Sequence, residues 1–192
     1  MPRKKQYEID AVIDKAMLTF WHNGYKSTSV RMLEKEMGIN QFSIYSSFGN
    51  KHDLFIEVLK KYKNYVKSTF LKELLNSEGS VDDIRRFLYD FGHSIRTGKN
   101  SCGCLMVNTG AEIDEKDVMI MHEVKLYFDF IKSTFVNTLE KTKLKGELTK
   151  DFEINKSANF LLGSLQGLSV YAKFQNEEEI NDFIDSIIKT IS

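Results

Sequence analysis

"GINQFSIYSSFGNKHDLF", residues 38–55, decides how this chain is read. After the Gly38-Ile39-Asn40 break, the run from Phe42 to Phe48 holds two phenylalanines, a tyrosine and three serines. A helix advances about 100° per residue, so with Ile44 turned inward Phe48 lies about 40° away on the same side. Phe42 and Ser46 then fall opposite, with Ser43 and Tyr45 on the flanks. The stretch predicts a short helix that buries Ile44 and Phe48 and shows Phe42, Ser43, Tyr45 and Ser46 to the outside.

Helices are predicted on both sides of it. Ile9, Val12, Ile13, Ala16, Met17, Phe20 and Trp21 recur at the spacing of one helix face, and Gly24 ends that helix. Ser27 or Thr28 can cap a second helix carrying Val30, Leu33 and Met37, which Gly38 stops; Asn40 can cap the third. Asn50 and Asp53 resemble a capping box for a fourth helix through Leu54, Phe55, Val58, Leu59 and Tyr62 to about Leu75, and Ser80 with Asp83 repeats the signal for a fifth. A sixth, shorter apolar piece runs from Cys104 to Ile113. From Val118 to Leu139 the chain is apolar nearly all round, which predicts a seventh helix buried on several sides. An eighth runs from about Ile154 to Phe174, and a ninth carries Ile180, Phe183, Ile184, Ile187, Ile188 and Ile191 in stripe order. Glu177–Glu179 decorate its start. The expectation is an all-α fold of about nine helices, divided into residues 1–52 and residues 53–192.

Composition narrows the function. Pro2 is the one proline, so nothing downstream forbids long helices. Net charge is zero, yet residues 1–51 carry eight Lys/Arg against five Asp/Glu, and the remainder is acidic by the same margin. A basic first segment suits a polyanion. No run approaches a bilayer-spanning length and no signal peptide opens the chain, so a cytoplasmic protein without membrane contact is expected. His22, His52, His93 and His122 lack metal-ligand spacing, and nothing resembles a phosphate-binding glycine loop or a nucleophile elbow. Neither an enzyme, a cofactor nor a metal is implied.

A helix, a glycine-containing turn and a second helix with a polar, aromatic outer face suit a helix-turn-helix that enters the DNA major groove. Hydroxyls reach phosphates or base edges, Gln41 can pair with adenine, and Phe42 can meet a thymine methyl. Spacing alone leaves an ordinary helical hairpin equally open.

The stretch from Val12 to Leu59 resembles the DNA-binding domain of tetracycline-repressor (TetR) family regulators. The matching residues are Gly24-Tyr25, Ser27-Thr28-Ser29-Val30, Gly38-Ile39-Asn40, Ile44-Tyr45, Phe48-Gly49, Lys51 and Leu54-Phe55. "GCLMVNTGAEI", residues 103–113, resembles a segment of many members. The resemblance implies a homodimeric, ligand-responsive repressor of double-stranded operator DNA. It places DNA contacts at Thr28, Gln41, Phe42, Ser43, Tyr45 and Lys51, with Ser46 added from its outward position. Two departures stand out. Glu34 occupies a position where the family has a small apolar residue, and Phe42 one where small residues are common. The basic start, Arg3, Lys4 and Lys5, can reach backbone or minor groove, or remain a solvated tail.

Three further expectations concern the C-terminal part. Gly163 and Gly167 clear one stripe of the eighth helix; with Phe174 and with Ile180, Ile184, Ile187 and Ile188 of the ninth they form either a dimer interface, which the resemblance favours, or intrachain packing. Tyr62, Phe87, Phe91, Met106, Met121, Tyr127 and Phe128 supply a core, a subset of which lines a pocket for a small, mainly apolar effector, with His93, Asn108 or Gln166 as polar fixers. Cys102 and Cys104 cannot form a disulfide framework. They are either small buried residues or, for Cys104 at a helix start with Arg96 and Lys99 upstream, a thiol that senses electrophiles. A helical carrier that does not bind DNA is the remaining alternative.

Overall fold

The computed structural model describes residues 7–98 and 101–192, so Arg3, Lys4, Lys5 and Lys99 lie outside the described residues. Ten helices and no strand occur among the described residues. They are α1 (Ile9–Asn23), α2 (Val30–Met37), α3 (Gln41–Phe48), α4 (Lys51–Ser68), α5 (Lys72–Asn76), α6 (Val81–Arg96), α7 (Leu105–Glu112), α8 (Val118–Leu144), α9 (Ile154–Tyr171) and α10 (Glu177–Thr190).

Local chemistry fixes the boundaries. Asn40 Oδ1 accepts the Ser43 N–H at 2.8 Å, Asn50 Oδ1 that of Asp53 at 3.0 Å, and Ser80 Oγ that of Asp83 at 3.1 Å. Gly38 ends α2 in the left-handed conformation, φ 73°, which a residue with a Cβ adopts only with strain. The cap of α2 is Ser29, in place of the expected Ser27 or Thr28; its Oγ accepts the Met32 N–H at 3.2 Å. Glu179 does more than decorate its helix, since with Asn176 it completes a reciprocal capping box.

The helix expected from Lys51 to about Leu75 is two helices. Leu71 N–H bonds back five residues to Val66 O at 3.0 Å, which widens the turn and brings Leu71 fully inside ahead of α5. No proline or glycine signals this break. Two other expectations shift in the same way. Phe48, expected inside, is half-buried, and α8 is less buried at its start than its composition suggests, with Val118 and Met119 exposed.

The chain forms two compact units, and they do not follow the expected boundary after residue 52. One comprises the described residues through Tyr65 together with Asn108–Val124; the other comprises those of Val66–Val107 and Lys125–Ser192. The first has an aromatic centre. Phe20 and Tyr25 both pack on Phe55 with ring centroids 4.7 Å away, and Trp21 meets Tyr62 edge-on at 5.1 Å. Leu33, Met37 and Ile44 close it from α2 and α3.

The second unit settles the isoleucine stripe. Ile180, Ile184, Ile187 and Ile188 are at most 2 % exposed within the single chain. α10 packs on α6 and α9, and Gly92 of α6 makes room for it: a Cβ there would stand 3.1 Å from Ile180 Cγ2 and 3.4 Å from Ile184 Cδ1. The stripe expected at a dimer interface is therefore intrachain core.

Ile184→Ala should lower the stability of the protein by about 2–4 kcal/mol in urea unfolding, the usual range for a buried aliphatic side chain cut back to alanine. A loss under about 1 kcal/mol would mean that the stripe is not core.

Candidate nucleic-acid interface

The recognition geometry begins with one residue turned inward. Ile44 has no exposed surface, and it fixes the outward face of α3. Phe42 is 81 % exposed and Tyr45 39 %; Gln41 and Ser46 are exposed, and Ser43 is half-buried. An aromatic ring this open on a short helix contributes nothing to the hydrophobic core. The helix is held from outside as well. Tyr7 Oη lies 2.7 Å from Ser47 Oγ and donates to Ser43 O at 3.3 Å.

Glu34 shows what the charged departure does. Its carboxylate accepts the backbone N–H of Gln41, the first residue of α3, so it supplies a cap from α2 to the next helix. Spare N–H groups at a helix start carry positive partial charge, and a carboxylate is stabilised there.

The turn before α2 is held from two sides. Lys51 donates from Nζ to the carbonyls of Tyr25 and Thr28, both at 3.0 Å, with the ammonium 4.5 Å above the centre of the Tyr25 ring. Glu112, at the end of α7, accepts the N–H groups of Tyr25 at 2.9 Å and Lys26 at 2.6 Å. Gly24 permits that approach: at φ 80° it has the backbone of a glycine, and a Cβ there would lie 3.0 Å from the Glu112 carboxylate.

A second tie joins α4 to the start of α8. His52 Nε2 lies 3.0 Å from one Asp117 oxygen and 3.1 Å from the other, and Asp117 also accepts the Ile120 N–H at 3.2 Å. The hydrogen bond to Asp117 raises the His52 pKa above its ordinary value, against partial desolvation; Asp53, 3.6 Å from Nδ1, adds to the rise. Desolvation works to raise the Asp117 carboxyl, but the His52 and Ile120 hydrogen bonds outweigh it and hold the group below its ordinary value. Tyr25 is raised, first by burial and then by the carboxylates of Asp117, Asp53 and Glu112.

Several expected residues sit elsewhere than the sequence suggests. Thr28 is 1 % exposed and its hydroxyl donates inward to Gly24 O at 2.6 Å, which corrects its expected role as a DNA-contacting side chain. Lys51 directs two of its three N–H donors into the protein. Of the residues expected around an effector, Tyr62, Asn108 and Met121 belong to the first unit, and Phe87, Phe91, His93, Met106, Tyr127, Phe128 and Gln166 to the second. His93 pairs loosely with Glu177 at 3.9 Å, Met106 is buried, and Met121, Phe128 and Gln166 are half-buried. Phe87 alone among them lines any of the three cavities described within the units.

On α9, Gly163 and Gly167 are exposed, in line with Phe160 and Val170, and Phe174, in the turn after the helix, is 79 % exposed. Cys104 does stand at the start of α7, but it is 4 % exposed. Its N–H bonds Ser169 Oγ at 2.8 Å, and its Sγ lies 3.7 Å from Tyr127 Oη. Burial first, and then the neighbouring Cys104, push the Tyr127 hydroxyl well above its ordinary pKa. Cys102 is half-buried. The residues that sequence reasoning misses are Tyr7, Ser29, Glu112 and Asp117. Ser29 and Asp117 carry a local signal, the preference of serine and aspartate for the position just before a helix.

A helix-turn-helix with an exposed aromatic recognition face defines a DNA-binding regulator, and comparison with known proteins agrees. Residues 12–58 match the model of bacterial regulatory proteins of the tetR family, and residues 80–187 match that of the tetracyclin repressor-like C-terminal domain. The chain belongs to the TetR family: it is a DNA-binding transcriptional regulator and not an enzyme. It is 27 % identical to the uncharacterized HTH-type transcriptional regulator YezE of Bacillus subtilis, over 96 % of both chains. With the HTH-type transcriptional repressor ComR of Escherichia coli it shares 28 % identity over 89 % of this chain and 82 % of that one. The fold superposes with a TM-score of 0.89 on a cysteine mutant of the TetR family transcriptional regulator CifR, complexed with 26bp double-strand operator DNA. Identity there is 22 %, over 99 % of this chain and 100 % of that chain. No helix of the described residues is long and apolar enough to cross a membrane.

The His52–Asp117 pair gives a pH signature. A raised histidine stabilises the fold fully below its ordinary value of 6.5, and that contribution is lost as pH rises through the raised value. A lowered carboxyl contributes above its ordinary 3.8 and loses its part as pH falls through the lowered value. The stability difference between the protein and its His52→Gln variant should thus be greatest between pH 3.8 and 6.5, and should shrink above that. About 0.5–1 kcal/mol is expected for a partly exposed pair. A difference that is flat from about pH 5 to 9 would exclude the ionic contribution.

Proposed function

We propose that the protein is a cytoplasmic, homodimeric repressor that leaves its operator when a small, mainly apolar effector binds. The single observation carrying the DNA side is the exposed Phe42 ring beside Tyr45 on a helix anchored by Ile44. In this reading α3 enters the major groove. Phe42 meets a thymine methyl, Gln41 pairs with adenine, and Ser43, Tyr45 and Ser46 contact bases or phosphates. Lys51 keeps one N–H donor for a phosphate and Thr28 serves from within, holding the turn. Family membership sets aside the carrier that does not bind DNA.

The dimer reading rests on α9 and the turn that follows it. Phe160, Val170 and Phe174 are 42 %, 46 % and 79 % exposed, and nothing lies within 4 Å of a Cβ placed on Gly163. Open apolar side chains beside glycines suit close helix packing with a second copy, whose two-fold symmetry matches two half-sites one helical turn apart.

Effector response is supported by the grip on the turn before α2. Glu112 ends α7, so an effector that shifts this helix draws the carboxylate away from the Tyr25 and Lys26 amides, and the recognition helix loses its fixed presentation. A buried Cys104 that is hydrogen-bonded to Tyr127 supports packing over electrophile sensing.

Three measurements test these points. On duplexes carrying the protein's own upstream DNA, Phe42→Ala should relax preference at one base pair, by about 1–2 kcal/mol of discrimination. Equal loss on specific and random DNA would remove Phe42 from base reading. A Val170→Asp, Phe174→Asp variant should sediment as a monomer; a persisting dimer places the interface elsewhere. Glu112→Ala should weaken operator binding about tenfold while the protein stays folded, through two lost charge-assisted hydrogen bonds. Wild-type affinity in that variant would end the coupling role of Glu112.

A further inference from the structure

The groove where α5 and the segment after α4 meet α6 takes only Phe87 from the residues expected around an effector. It encloses about 350 Å³. Its apolar floor is Phe70, Leu74 and Phe87, with Leu74 and Phe87 buried. Both rings are braced from behind by Phe91, which meets Phe70 edge-on at 6.0 Å and Phe87 in a stack at 6.3 Å.

The rim is acidic. Glu73, Asp83 and Asp90 face one guanidinium, Arg86, and that group pairs with Asp83. No cation among the described residues pairs with Glu73 or Asp90. Ser77 completes the wall. Its carbonyl takes the Lys141 ammonium at 2.6 Å, but its buried hydroxyl oxygen has no hydrogen-bond partner.

These features select one ligand chemistry. An anion would be repelled by the uncompensated carboxylates. A neutral hydrocarbon would fill the floor yet leave the carboxylate rim uncompensated. A primary ammonium brings N–H donors for the rim carboxylates, and an attached aromatic ring can lie against Phe70 and Phe87. We propose that this cavity binds a primary arylalkylammonium ion. As the chemical class of the effector this rests on the reading of the protein as an effector-responsive regulator; as a binding site it does not.

Isothermal titration of the full chain with 2-phenylethylammonium, and with 2-phenylethanol as its neutral counterpart, tests the proposal. The ammonium should bind about tenfold more tightly than the alcohol, the effect of one favourable charge contact near a surface. Glu73→Gln combined with Asp90→Asn, both exposed positions, should bring the ammonium down to the level of the alcohol and leave the alcohol unchanged. No heat with either ligand, equal affinities for the two, or an unchanged affinity in the double variant would overturn the site. Mobility shifts on upstream DNA with the same preparations separate the two readings. Operator binding without ammonium binding removes the cavity site alone, whereas ammonium binding that leaves the operator complex intact keeps the site and removes its role as effector.

Discussion

The turn from Gly24 to Ser29 has to satisfy its backbone away from regular structure, and two long-range charges do this. An ammonium gathers carbonyls from Tyr25 and Thr28, and a carboxylate gathers the amides of Tyr25 and Lys26. Backbone groups set apart from water need partners, and charged partners make the shorter, stronger bonds. Tyr25 sits at the centre of both sets, with its ring on Phe55 and beneath Lys51. The start of α2 depends on this arrangement, because Thr28 is turned inward and Ser29 is left to cap the helix.

α2 and α3 are eight residues each, too short to persist as isolated helices in water. Their order comes from contact: Leu33, Met37 and Ile44 inside, Tyr7 and Glu34 outside. Recognition surfaces need such a frame, since side chains that read bases must be presented at fixed positions. The exposed Phe42 is tolerable because the residues around it fully determine where the helix lies.

Much of this is legible in order of sequence distance. Helical period and caps at Asn40, Asn50 and Ser80 depend on residues three or four apart, and the structure has them where the pattern puts them. The inward Ile44 and outward Phe42 follow from angle alone. The isoleucine stripe of α10 shows where that reasoning stops: a stripe says that a face is covered, and only the fold shows that α6 and α9 of the same chain cover it. Glu112 reaches a partner 87 residues away, and on its own helix it looks like any solvated glutamate. Thr28 misleads for a related reason. A hydroxyl next to a helix start can cap it or turn back, and here the neighbouring Ser29 takes the capping position.

Glu34 also bears on how the recognition helix can be anchored. The first residue of α3 already has a carboxylate on its amide. A phosphate arriving at that end would meet a resident negative charge, and the Gln41 and Ser43 amides are already taken, so the start of this helix makes a poor anion seat. In the proposed reading the grip on the sugar-phosphate strand would then fall to flanking elements, and α3 would approach the bases along its exposed side, from Phe42 to Ser46. On that reading an internal carboxylate in this position would compete with the nucleic acid for the amide of Gln41 and weaken indiscriminate adhesion there.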